Sequence, residues 1–104
     1  MHMSREKVER MRVENITNKQ GNKVANQFKI TDGNKVAFQS YDSLICEIEN
    51  KAVTFTQKYN FSSTTSKHRN TFLSDFFGCD IKTADVEKMI QCGNFNDYKV
   101  YLLN

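Results

Sequence analysis

A chain of 104 residues supports one domain with one modest core, and its 38% hydrophobic content is low for a globular protein, although eight Phe and four Tyr compensate because each buried aromatic removes a large apolar area from water. Fifteen basic residues against twelve acidic ones give a formal charge of +3, too mild to mark a dedicated nucleic-acid binder on charge alone. The absence of Pro and the presence of only four Gly argue against linkers and a second domain.

Met1-His2-Met3 reads as a cloning remnant, so His2 is set aside. Residues 4–23 form a charged N-terminal arm or first strand: Val8 and Met11 would share one side of a helix turn, whereas Met11 and Val13 alternate as a strand does. Residues 24–104 read as a single α+β domain. Val24, Phe28 and Ile30 alternate with polar neighbours, and Val36 with Phe38 repeat the pattern after Thr31-Asp32-Gly33-Asn34-Lys35. Asp-Gly between alternating runs marks a hairpin, because Gly33 tolerates the positive φ of a tight turn.

Tyr41-Asp42-Ser43 then links to a second hairpin, Leu44 to Glu49 and Ala52 to Lys58, with Ile48, Val53 and Phe55 inward. One polar sheet face is expected to meet water. The period changes at Phe72, Leu73, Phe76 and Phe77, which recur at helical spacing and stop at Gly78, a C-cap signal. A second helix is expected from Ala84 to Gln91, with Thr83 as N-cap, Asp85 and Glu87 in its first turns and Gly93 closing it. Tyr98, Val100 and Leu102 alternate as a last strand, whose segment Val100 to Leu103 is a possible edge for a second copy, so the chain is a monomer or a homodimer. The expected fold is an antiparallel β-meander of four to six strands covered by two α-helices.

Cys46, Cys79 and Cys92 form no C-x-x-C pair and leave one thiol over, which fits a reducing compartment and three buried small hydrophobes. No apolar run reaches membrane-span length and the N-terminus lacks the apolar core of a secretion signal, so a cytoplasmic location with no membrane partner is expected. His68 has no motif around it that would make it a base for a nearby Ser or Cys, and His68, Cys79 and Cys92 lack the paired short spacing of structural zinc. The acids are scattered and each glycine stands alone, so the expectation is a non-enzymatic protein with no cofactor and no metal.

The pattern that points to function is Ser62-Ser63-Thr64-Thr65-Ser66 followed by Lys67-His68-Arg69. A helix beginning among these hydroxyls carries three basic residues near its start, where the macrodipole already favours anions. Thr65, Ser66, Lys67, His68 and Arg69 are therefore the candidate partner or anion contacts, with Arg69 as a bidentate donor and Arg12, Lys19 and Lys23 as secondary contacts. Tyr41, Tyr59, Phe61 and Tyr98 are core residues or stacking platforms, and Phe61 is placed to staple the helix start.

The segments Asn26-Gln27-Phe28-Lys29-Ile30, Phe38-Gln39-Ser40-Tyr41-Asp42-Ser43-Leu44-Ile45, and Tyr59 followed by Thr64 to Leu73 resemble a family of small proteins of unknown function encoded by tailed phages and integrated elements of bacteria. That resemblance implies a phage or mobile-element accessory protein in the cytoplasm of a bacterial host. It would act by stoichiometric binding to a host bacterial protein or ribonucleoprotein, as an inhibitor of a defence system of the anti-CRISPR kind does. The alternative is a small DNA- or RNA-binding regulator using residues 62–69.

Overall fold

A computed structural model describes residues 11–104, so the part of the N-terminal arm before Met11 lies outside the described residues. Strands β1 (Arg12–Thr17), β2 (Lys23–Asp32), β3 (Lys35–Ser40), β4 (Ser43–Glu49) and β5 (Ala52–Phe55) come first. Helices α1 (Ser63–Phe77) and α2 (Thr83–Cys92) follow, and β6 (Asn94–Phe95) and β7 (Tyr98–Leu102) close the chain. All seven strands share one sheet in the order β1-β2-β3-β4-β5-β7-β6, which makes this an α+β fold.

The meander forms because its turns supply the backbone angles that short hairpins need. Gly33 has φ 64° at the first central position of the β2–β3 turn, which Asp32 and Lys35 close. Asn50 and Lys51, with φ 53° and 61°, give two successive left-handed residues between β4 and β5. The sheet is mixed, because β7 pairs parallel to β5 with Val53 opposite Val100. A parallel partner needs a crossover, and the two helices are that crossover. β7 therefore lies between β5 and the two-residue β6, which pairs only with Tyr98 and Lys99, so the side of Tyr101 to Leu103 away from β5 has no partner strand among the described residues.

Both helices pack on the face that carries Phe38, Ile48, Val53, Phe55 and Val100, and these join Phe72, Leu73, Val86 and Met89 in one core. Phe38 stacks on Phe72 of α1 at 5.7 Å between ring centres. At the other end, Phe77 meets Phe95 at 5.0 Å and Tyr98 at 5.1 Å, which ties the last turn of α1 to β6 and β7.

Phe28 and Ile30 do alternate, and they occupy the face opposite to Phe38. Lys29 is the partner of Phe38 in the ladder, so Phe28 and Ile30 share the open face with Gln39 and Ala37. Asn26 has φ 64° within β2, and the β1–β2 register slips between Asn15 and Thr17, so Gln27 is the buried residue there at 1% exposure.

The helix ends obey their signals. Ser62 caps α1 by accepting from Thr65 N at 3.1 Å, and Gly78 and Gly93 close the two helices with φ 71° and 79°. Thr83 is the first residue of α2 and not its cap. The cap position is Lys82, whose backbone N–H donates to Asp85 Oδ2 at 2.9 Å. Of the three free cysteines only Cys46 is buried, which corrects the expectation for Cys79 and Cys92. Replacing core Phe38 by Ala is expected to lower unfolding free energy by about 3–5 kcal/mol. Phe28→Ala, on the open face, should lower it by clearly less in the same denaturant titration.

Candidate functional site

Lys67 is the fifth residue of α1 and Arg69 the seventh, so both lie beyond the first turn, where the dipole field is strongest. The positions divide by the face they occupy. Thr65, Arg69, Phe72 and Leu73 follow one another at helical spacing and point to the sheet, and all four are buried.

Arg69 is wholly buried, at 0% exposure, and it is not the solvent-facing anion contact expected from the sequence. Its Nη1 donates to the Tyr59 carbonyl at 2.6 Å. Nε and Nη2 both donate to Asn70 Oδ1, at 3.1 and 2.8 Å, and Nη2 also reaches Thr83 Oγ1 at 3.2 Å. The guanidinium lies 5.9 Å from the centre of the Tyr59 ring, and the Tyr59 hydroxyl donates to Glu87 of α2. Burial lowers the Arg69 pKa, while Cys46, Glu87 and Tyr59 pull it back up. Burial pushes the neighbouring Cys46 thiol up to about 12, so this cysteine is a neutral, unreactive core group.

Thr65 is buried too, its Oγ1 3.1 Å from Ser40 Oγ of β3. Ser66 Oγ donates to Asn60 Oδ1 at 3.0 Å. Lys67 is exposed, and His68 is 9% exposed. Burial first, and Lys67 second, hold the His68 pKa below its ordinary value.

The solvent side of α1 carries Ser63, Lys67, Asn70, Thr71, Ser74 and Asp75, a polar stripe that with Ser66 and His68 forms one wall of a groove of about 1270 Å³. The opposite wall is the β1–β2 connection with Asn18, Lys19 and Gln20, and the α1–α2 segment adds Asp80 and Ile81, with Thr83 from the start of α2. Lys19 is held there by an Asx turn, in which Asn18 Oδ1 accepts from the N–H groups of Gln20 at 3.0 Å and Asn22 at 2.9 Å. Of the secondary contacts, Lys19 thus joins Lys67 and His68 across the groove, whereas Arg12 and Lys23 are exposed strand residues that do not line it.

The polar stripe at positions 63, 66, 67, 70, 71, 74 and 75 is a helical period of hydroxyls, amides and charges, a signal that the contiguous reading of residues 62–69 passed over. The opposing wall had no comparable local signal. The aromatic expectations divide as well. Tyr59 and Tyr98 pack against the core, Tyr41 is exposed, and Phe61 does not staple the helix start: it is 65% exposed, with Lys58 Nζ 4.7 Å above its ring.

Among the described residues no three His, Cys, Asp or Glu side chains gather in a way that could hold a metal ion. No helix among them is long and apolar enough to cross a membrane. A family model described as a family of unknown function, DUF8033, matches residues 11–90. The chain belongs to that family. The match runs from the residue before β1 into the last turn of α2, so the DUF8033 region contains both walls of the groove and the whole Arg69 network. Neither the curated proteins nor the solved structures contain a match.

Replacing Arg69 by Ala removes a buried side chain and leaves three acceptors short of a donor, and it should destabilise the domain by about 3 kcal/mol or more in chemical denaturation. His68 gives a pH signature. Its folded pKa lies below the unfolded value, so the unfolded state binds the extra proton and stability declines as pH falls below about 6.5. His68→Gln should flatten that limb of a Tm-against-pH curve while leaving the neutral-pH portion in place.

Proposed function

We infer that this DUF8033 protein works by stoichiometric binding of a host macromolecule through the groove between the β1–β2 connection and α1, and not by turnover. The observation that carries this reading is the convergence of Lys19 with Lys67 and His68, brought from distant parts of the chain to face one cleft. Its volume of about 1270 Å³ exceeds the range of about 300–1,000 Å³ usual for small-molecule sites, and it suits a segment of a larger partner.

Charge favours a protein partner over a nucleic acid. With Arg69 withdrawn into the core, the groove carries Lys19 and Lys67 against Asp75 and Asp80, and the lowered pKa of His68 keeps its imidazole neutral near pH 7. Phosphate-backbone binding depends on a net cationic surface that releases counterions. A wall with equal numbers of lysines and aspartates offers no such excess, but it does match a polypeptide of mixed charge.

The resemblance to phage and mobile-element proteins supports placing the protein among their accessory factors, with a bacterial host protein or ribonucleoprotein as target. An inhibitor of a host defence system has the required properties: small size, a single binding face and no need for chemistry. The DNA- or RNA-binding alternative keeps the same groove but requires Lys19 and Lys67 to outweigh Asp75 and Asp80.

Affinity capture from bacterial lysate, with and without nuclease, separates the two. The expected outcome is a specific host protein that is retained after nuclease treatment and lost when Lys19 and Lys67 are both changed to Glu at unchanged Tm. Loss of capture on nuclease treatment, or indifference to the double charge reversal, would overturn the reading.

A further inference from the structure

His68 lines the groove, is nine-tenths buried, and has no hydrogen-bond partner among the described residues, although Thr65, Ser66 and Arg69 around it are each bonded within the domain. A neutral imidazole carries one donor and one acceptor, and neither is met by another group of the described residues. Neither ring nitrogen is sealed away. Among the described residues the fully enclosed side-chain atom without a partner is Gln27 Oε1, so the imidazole nitrogens open to the groove. The charged groups that share the groove with it are Lys67 and Asp75 on its own helix, Lys19 on the β1–β2 connection and Asp80 on the α1–α2 segment.

We propose that His68, beside Lys67 and in the same groove as Lys19, seats a carboxylate side chain of the partner, and that this acid belongs to a polypeptide segment running along α1 toward Asp75 and Asp80. The proposal rests on the groove being the contact surface. Lys67 and Asp75 are eight positions apart on one helix, a rise of about 12 Å. About four residues of extended chain cover that distance. The segment therefore carries a basic residue about four positions from its acid. A nucleic-acid strand has no such alternation, for its following phosphates would lie against Asp75 and Asp80.

Seating a carboxylate at the imidazole favours the protonated ring. The bound pKa then lies above the free one, so binding takes up a proton and tightens as pH falls through the interval between the two values, by at most about tenfold per pH unit. Burial and Lys67 place the lower end of that interval below the ordinary histidine range.

The chain has two histidines, His2 and His68, so one variant, His68→Gln, assigns the imidazole NMR signals. The full chain is titrated with pH alone and then in the presence of three probes at millimolar concentration. These are short end-capped peptides with Glu and Lys four positions apart in either order, inorganic phosphate, and a single-stranded DNA oligonucleotide. The expected result is that a peptide shifts the His68 ring signals, raises its pKa and binds several-fold tighter at acidic than at neutral pH, and that His68→Gln abolishes this pH dependence.

Ring signals that no peptide moves would overturn the proposal, as would an equal response to phosphate or a response to the oligonucleotide alone. The wild-type titration stands even where the variant folds poorly. Failure here is distinct from failure of the groove itself: if His68→Gln retains host-protein capture that the Lys19 and Lys67 reversals abolish, the carboxylate seat falls and the groove reading survives. If none of these variants changes capture, both fall.

Discussion

The buried guanidinium of Arg69 is the interaction on which the rest of the structure depends. It gathers the Tyr59 carbonyl from the segment leaving β5, Asn70 of α1 and Thr83 at the start of α2, and so joins the polar sides of three pieces of chain whose apolar sides meet in the core. Its charge is met by oriented neutral acceptors and, through the Tyr59 hydroxyl, by Glu87, and not by direct contact with an acid. Arginine suits this task because its planar fork presents several donors in fixed directions and stays ionised despite burial. Lysine at the same place would offer one flexible point charge.

That network also shapes the groove. Asn70 and Thr83 serve Arg69 on one side and line the cleft on the other, and Asn70 Nδ2 donates to Thr83 Oγ1 at 3.0 Å. Ser74 Oγ accepts from Ile81 N at 2.9 Å, which pins the α1–α2 segment to the same wall. The polar groups in the groove therefore fall into two kinds. Asn70, Thr83, Ser74 and Ser66 are committed to holding the fold together. Lys19, Lys67 and His68 project from this braced frame, and the bracing reduces the entropy lost when a partner settles against them.

Much of the fold was legible because its turns and caps are local requirements. The turns at Gly33 and Asn50-Lys51 and the helix stops at Gly78 and Gly93 each rest on a left-handed backbone that few residues supply. Alternation in β2 was legible as a period but not as a direction. Strand periodicity separates two faces without naming the covered one, and the left-handed Asn26 and the register slip beside it decide that Gln27 turns in. The parallel pairing of β7 with β5 was hidden for a different reason: it joins segments more than forty positions apart, and no local pattern encodes that choice of neighbour.

Arg69 shows where residue type misled and spacing would not have. It stands four positions after Thr65, three before Phe72 and four before Leu73, squarely in the stripe that faces the sheet, yet its charge reads as surface. Lys67 and His68 are two positions and one position off that stripe and reach the groove, so three adjacent basic residues have three different environments. The cationic cluster of the sequence is thus divided between the core and the groove. Because Arg69 braces the wall from which Lys67 and His68 project, any ligand that bound the folded groove would stabilise the folded state by mass action, and a loosened network would weaken both together.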